Sequence, residues 1–138
     1  MGYTTVLVGS FHLTPALSAD RRQQVNEWAS QRFGDMEPSI VPGSFYCQWV
    51  VSQDGSKLEW HKGEKFYGYK KWLQVLNQRF VVPWGVKLTG KMYWCGEAAK
   101  DRGYIRALQC DNSTVFTTGQ FRMTSWLKQQ VAQAWATV

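Results

Sequence analysis

The chain has little of what enzymes and metal proteins are usually built from. It contains only two histidines, His12 and His61, and three cysteines, Cys47, Cys95 and Cys110, with no CxxC pair. An odd cysteine count without metal spacing argues against both a disulfide framework and a zinc site, so reduced thiols are the expectation. No GxSxG, phosphate-cradling glycine loop or metal-spaced cluster occurs. The expectation is therefore a protein that leans away from catalysis and needs no cofactor or metal. Long apolar runs are missing too: no stretch approaches the length of a membrane span, and MGYTTVLVGS has no basic region followed by an apolar core. A cytoplasmic protein with no membrane partner is expected.

Aromatic residues, by contrast, are abundant: eight Trp, seven Phe and six Tyr in 138 residues. A chain of this length forms one domain by default, 1–138, and buries roughly two-thirds of its extended-chain surface. Each aromatic side chain can bury about 150–250 Å², so so many in a small core should leave some at the surface.

Residues 45–85 organise the rest. Asp54-Gly55 is a favoured centre for a two-residue hairpin turn because both positions tolerate positive φ. Counting outward, Val51 faces Leu58, Val50 faces Glu59 and Trp49 faces Trp60, which puts Trp49, Val51, Leu58 and Trp60 on one sheet face. The period then changes. Phe66, Tyr69, Leu73, Leu76 and Phe80 recur at spacings of three and four and predict a helix from about Glu64 to Phe80, stopped by Pro83 and Gly85. Glu64 suits the positive end of its dipole.

Upstream, Tyr3 to Leu13 alternates as a first strand in which Gly9 marks a bulge or a close crossing. Ser18 is the expected N-cap of a helix over 19–33 ended by Gly34. Residues 35–44, with Pro38, Pro42 and Gly43, read as a surface loop. Downstream, 86–94, 104–110 and 113–118 read as three strands, and a last helix over about 124–137 carries Leu127, Val131, Ala134, Trp135 and Val138 on one stripe. That stripe must pack on the sheet or at a subunit interface. The expected fold is α+β: a single antiparallel-rich sheet of 5–6 strands with two or three helices packed on one face, in the order β-α-β-β-α-β-β-β-α. Its first two-thirds follow the split arrangement of a ferredoxin-like core. Leu7–Phe11 also resembles Leu88–Met92 at the matching place.

Several segments carry a wider likeness: Gly9-Ser10-Phe11, Cys47-Gln48-Trp49-Val50, Asp54-Gly55, Leu58-Glu59-Trp60, Gly63-Glu64-Lys65-Phe66-Tyr67, Trp72-Leu73 and Pro83-Trp84-Gly85. With these the chain resembles a family of small bacterial and phage proteins without an assigned activity. The resemblance implies an association with mobile DNA and an adaptor or host-interaction role, and brings no catalytic residues with it. An acidic residue stands in that family where this chain has His61, and another where it has Lys71, so the basic character belongs to this protein.

That basic character is uneven. The net charge is +6, and residues 57–106 hold eleven Lys or Arg against Glu59, Glu64, Glu97 and Asp101, a balance of +7. Such asymmetry marks either an acidic partner or a solubilising surface. The candidate binding residues are the basic and aromatic ones interleaved there: Trp60, His61, Lys62, Lys65, Tyr67, Lys70, Lys71, Lys87, Lys91, Tyr93 and Arg106. A non-enzymatic binding or adaptor protein, with a protein partner or self-association through Trp126 and Trp135 of the last helix as a homodimer, is the leading expectation. Nucleic-acid binding by residues 57–106 is the alternative. A small-molecule or enzymatic pocket between sheet and helices, lined by Trp49, Trp60 and Tyr69, is the third. Two weaker groupings are His61 with Glu59 and Glu64 as an acid-base corner, and Cys95 near Lys100 and Arg102 as an activated thiol.

Overall fold

A computed structural model of the chain describes residues 3–33, 40–41, 43–63, 65–111 and 113–138. At the centre lie β1 (Thr5–Thr14) and β4 (Lys87–Gly96), paired antiparallel from Thr5 opposite Gly96 to Thr14 opposite Lys87. Gly9 and Gly90 occupy two-fold-related places in this pair, opposite Met92 and Phe11, with φ of 104° and 122°. A Cβ on Gly9 would stand 3.1 Å from the Lys91 carbonyl oxygen, and one on Gly90 would stand 3.3 Å from that of Ser10. Glycine is thus required for close approach. The register runs through Gly9 without interruption, so the residue marks a crossing and not a bulge.

Around this pair the sheet has the order β2-β3-β1-β4-β5-β6, where β2 is Trp49–Val51, β3 Lys57–Trp60, β5 Arg102–Cys110 and β6 Ser113–Gly119. Every neighbouring pair is antiparallel. The first four strands with α1 (Ala19–Ala29) and α2 (Tyr69–Leu76) form the split ferredoxin-like unit, and β5 and β6 extend it. The expected α+β class holds.

The hairpin pairs Trp49 with Trp60, Val50 with Glu59 and Val51 with Leu58, as its sequence predicts. Its turn is built differently. Only Gly55 has positive φ, at 78°, while the Asp54 carboxylate accepts hydrogen bonds from the Ser56 amide, the Ser56 hydroxyl and the Ser52 hydroxyl. Asp54 thus closes the turn with its side chain, an Asx-type solution that needs no left-handed backbone at that residue. Those bonds hold its carboxyl down at about 2, the Ser56 hydroxyl being the largest cause.

Two helices differ from their sequence expectation. Ser18 caps α1 by accepting from the Arg21 amide, but the helix ends at Ala29; Phe33 lies beyond it and stacks on Trp28 and Trp72 at 5.1 and 4.9 Å. Gly34 and most of the 35–44 loop fall outside the described residues. α2 begins at Tyr69, because Lys65 and Gly68 have left-handed φ of 57° and 67° and a helix cannot run through them. Phe66 is nonetheless buried, against Trp49 at 5.6 Å. Glu64 lies outside the described residues. After Leu76 the helix widens into a π turn, Asn77–Val81.

The residues of β1 to β6 alternate between two faces. One carries Phe11, Leu13, Trp49, Val51, Leu58, Trp60, Leu88, Met92, Trp94, Ile105 and Ala107, all buried. α1 and α2 cover it, with Trp28 and Trp72 edge-on at 6.0 Å in the layer between. Seven aromatic residues are buried, while Tyr3, Phe45, Tyr46, Tyr67 and Trp126 are exposed, so the aromatic surplus does reach the surface as expected. The other face carries Val6, Val8 and Cys95 at one end, and there α3 (Ser125–Thr137) packs on β1 through Leu127. Val131, Ala134 and Trp135 also pack against the chain's own core, while Trp126 remains 60% exposed. Thr124 caps α3 by accepting from the Leu127 amide.

Candidate functional site

α3 covers only part of the second face. On the rest, alternation places His12 from β1, Lys57 from β3, Lys87 and Lys91 from β4, and Arg102 and Arg106 from β5, every one of them exposed. Glu59 is the one acidic residue that the described strands place on this face. Two cross-strand pairs stand out. Lys91 lies directly opposite Arg106, and Tyr93 directly opposite Tyr104. Like charges facing each other across a ladder are destabilising, and here two rings soften the cost: the Lys91 ammonium lies 4.3 Å from the centre of the Tyr104 ring and 5.3 Å from that of Tyr93. Phe121, leading from β6 to α3, meets Tyr93 edge-on at 5.0 Å, with the Arg102 guanidinium 5.8 Å from its own ring. A trough of about 510 Å³ runs beside Lys91 and Arg106, lined also by Thr89, Gly90, Leu108 and Gln109.

The eleven candidate residues therefore do not form one site. Lys87, Lys91, Tyr93 and Arg106 share the open face. Trp60 is buried on the helix-covered face, its indole N–H donating to Gln48 Oε1 at 2.9 Å, and is not a surface contact. His61, Lys62, Lys65 and Tyr67 belong to the connection from β3 to α2, and Lys70 and Lys71 to α2. Tyr67 is exposed and its hydroxyl accepts from the Tyr3 amide. The Lys70 ammonium lies 3.9 Å from the centre of the Trp94 ring, so part of its charge is spent inside the fold. His12, Lys57, Arg102 and Tyr104 join the open face without having been among the candidates; the period-two alternation of β5 was the signal that could have found Tyr104 and Arg102.

The carboxylates of the β4–β5 loop are used structurally. Asp101 accepts from the Tyr3 hydroxyl at 2.7 Å and from the Trp94 indole at 3.2 Å, and Glu97 accepts from the Thr4 amide at 2.7 Å. These carboxylates tie the start of β1 to the β4–β5 loop. Cys95 is buried, which pushes its thiol above the ordinary value; Arg102 pulls the other way and Asp101 adds to the rise. That is the reverse of an activated thiol. Burial likewise pushes the Cys47 thiol up to about 12. At the His61 corner, Glu59 lies on the open face, the His61 amide donates to the Gln48 carbonyl, and Glu64 falls outside the described residues.

Between sheet and helices, Trp49 is fully buried and its indole donates to the Tyr69 carbonyl at 2.9 Å. The void between the sheet and the α1–α2 side, beside Leu13, Leu58 and Val81, measures about 10 Å³, the space of a single water, while an open cleft of about 320 Å³ lies between the sheet and α3, lined by Val8, Glu59, Trp60, Lys62 and Gln130. A second exposed cluster lies at the opposite edge of the molecule, where the Arg32 Nε–H donates to the Tyr46 hydroxyl at 3.0 Å and the guanidinium lies 5.1 Å from the Phe45 ring. No described helix is long and apolar enough to cross a membrane. No family model matches the chain, and neither a curated protein nor a solved structure matches it.

Proposed function

We propose that the protein is a non-enzymatic binding protein that takes a single-stranded nucleic acid on the open sheet face of β4 and β5. What supports this reading is above all the Lys91–Arg106 pair. Two cations set opposite each other cost stability, and a chain keeps such a pair where a ligand supplies the missing negative charge. His12, Lys57, Lys87 and Arg102 extend the positive surface on either side, which suits a ligand that carries a charge at every repeat. Tyr104 supplies a ring at the centre. Freeing that ring from Lys91 forfeits about 0.5–1 kcal/mol of cation–π attraction. Stacking a base on it returns about 1–3 kcal/mol, and the released ammonium then meets a phosphate.

The test is a fluorescence-anisotropy titration of labelled single-stranded oligonucleotides at low and near-physiological salt, with the wild type and a Lys91→Gln/Arg106→Gln variant. The expected result is binding that weakens with salt, and a slope of log K against log salt that falls by about 0.7 for each cation removed. The variant should keep its stability to within about 1 kcal/mol of the wild type, because the repulsion removed offsets the cation–π attraction that is lost with Lys91. Absence of binding at low salt, or equal binding by the variant, overturns the reading. A second reading places a protein partner on the exposed Phe45 and Tyr46 rings held by Arg32; unchanged oligonucleotide binding combined with capture lost on Tyr46→Ala would favour it.

A further inference from the structure

The two edges of the sheet are treated differently. β2 is three residues long, and the side chain of Asn26 on α1 covers its backbone: Asn26 Oδ1 accepts from the Val51 amide at 2.8 Å and Asn26 Nδ2 donates to the Val51 carbonyl at 3.2 Å. That edge is short and closed. β6 is seven residues long, Ser-Thr-Val-Phe-Thr-Thr-Gly, and ends the sheet on the other side. Soluble proteins protect edge strands with charge, proline, a bulge, shortness or a covering element. β6 has no charged residue and no proline, its register against β5 is unbroken over all seven residues, and Val115 is exposed. After Gly119 the chain turns onto the open face at Phe121 and leaves the edge behind.

We propose that β6 pairs antiparallel with β6 of a second copy of this chain, about a two-fold axis at Phe116. This register overlaps the whole strand and is self-complementary, as an isologous contact must be. It sets Val115 opposite the partner's Thr117 twice, Thr114 opposite the partner's Thr118 twice, and Phe116 beside its own mate, with no like charges facing each other. A charged peptide from another protein would find no countercharge on the strand, which is why the occupant is a second copy. The axis stands perpendicular to the sheet, so both open faces look the same way. The two Arg106 rows then lie about three strand spacings apart, about 14 Å, and the basic surface of one copy continues into that of the other. That continuity bears on the nucleic-acid reading, but the pairing stands without it.

The test uses the protein alone, without nucleic acid. Light scattering at high protein concentration in physiological salt should give a mass near twice the 15.9 kDa of one chain, and Val115→Lys/Thr117→Lys, which sets two pairs of ammonium groups opposite one another, should return it to one. Cys110 gives an independent reading on the native chain, since it is exposed while Cys47 and Cys95 are buried. It pairs with Ser113, three positions from the axis, so spin labels on the two Cys110 residues should lie about 25 Å apart, from about 14 Å across the strands and about 20 Å along them. A monomeric wild type overturns the proposal. So does a dimer that survives the double substitution, or one whose Cys110 labels lie beyond about twice the separation set by those strand spacings; either would move the contact to another surface, such as Trp126. Should the double variant fail to fold, the Cys110 distance decides by itself.

Discussion

Replacing Asn26 should open the β2 edge, and the size of the effect follows from two hydrogen bonds. Asn26 Oδ1 and Nδ2 satisfy both backbone groups of Val51, whose side chain is buried in the core. An amide side chain here does what a neighbouring strand would do, donating and accepting at once. Asn26→Ala removes both bonds; at about 1 kcal/mol net for each, with water able to reach part of the edge, the loss is about 2 kcal/mol. With a urea m-value of about 2 kcal/mol/M, the unfolding midpoint should fall by about 1 M. Asn26→Asp separates the two bonds. It keeps the acceptor for the Val51 amide but sets a carboxylate oxygen against the Val51 carbonyl, so at neutral pH it should be at least as unstable as Asn26→Ala. Protonation restores a donor, and its deficit against the wild type should therefore shrink as pH falls through its carboxyl pKa. Urea melts read the energies, and hydrogen exchange at the Val51 amide reads the place. A wild-type midpoint in Asn26→Ala, or a Val51 amide that exchanges no faster, would refute the assignment of Asn26 as the cover of this edge.

Three further outcomes are expected. Ser44→Ala should cost about 2 kcal/mol and lower the melting temperature by about 5–10 °C in calorimetry, because the buried Ser44 hydroxyl donates to the Tyr67 carbonyl and accepts from the indole of the fully buried Trp72; an unchanged melt would mean the indole finds another acceptor. Thiol titration of the native protein should label Cys110 quickly and Cys47 and Cys95 only on unfolding, since the first is exposed and burial holds the other two protonated; two fast thiols would contradict the packing. The Asp54 carboxyl is lowered from 3.8 to about 2, so the turn's contribution is complete above pH 3.8 and is lost as pH falls toward 2; Asp54→Ala should remove that part of the acid dependence, and identical acid titrations would refute it.

Much of the fold is legible in the sequence because its signals are local. The hairpin register follows from one Asp-Gly, and the strand faces follow from alternation, which a single buried residue such as Leu58 or Met92 can anchor. Where the reading of helices goes astray, tertiary packing has overridden a local pattern. Phe66 keeps the spacing of α2 yet reaches the core from an irregular segment, because Lys65 and Gly68 take left-handed φ. Position 68 must be glycine: its φ is left-handed and a Cβ there would stand 2.6 Å from Val41 Cγ1, a contact contributed by a residue far away in the chain.

The open face was legible only in part, and for a reason of the same kind. Charge counted along 57–106 treats that segment as one basic surface, whereas the chain crosses from one side of the sheet to the other within it. Period-two alternation sends Trp60 to the core and Lys57 to the second face, Lys62 lies in the cleft beside α3, and Lys70 and Lys71 belong to α2 on the helix-covered side. What then brings Lys91 against Arg106 is the register of β4 on β5, set across the Glu97–Asp101 loop by contacts with Tyr3 and Thr4 at the far end of the sequence. A one-residue slip in that loop would put Arg106 and Tyr104 on the helix side among Ile105's present neighbours, where a guanidinium could not be buried unpaired. The carboxylates of Glu97 and Asp101 thus act on the open face without touching it: they hold the loop that joins β4 to β5, and the register of those strands sets the two cations opposite each other.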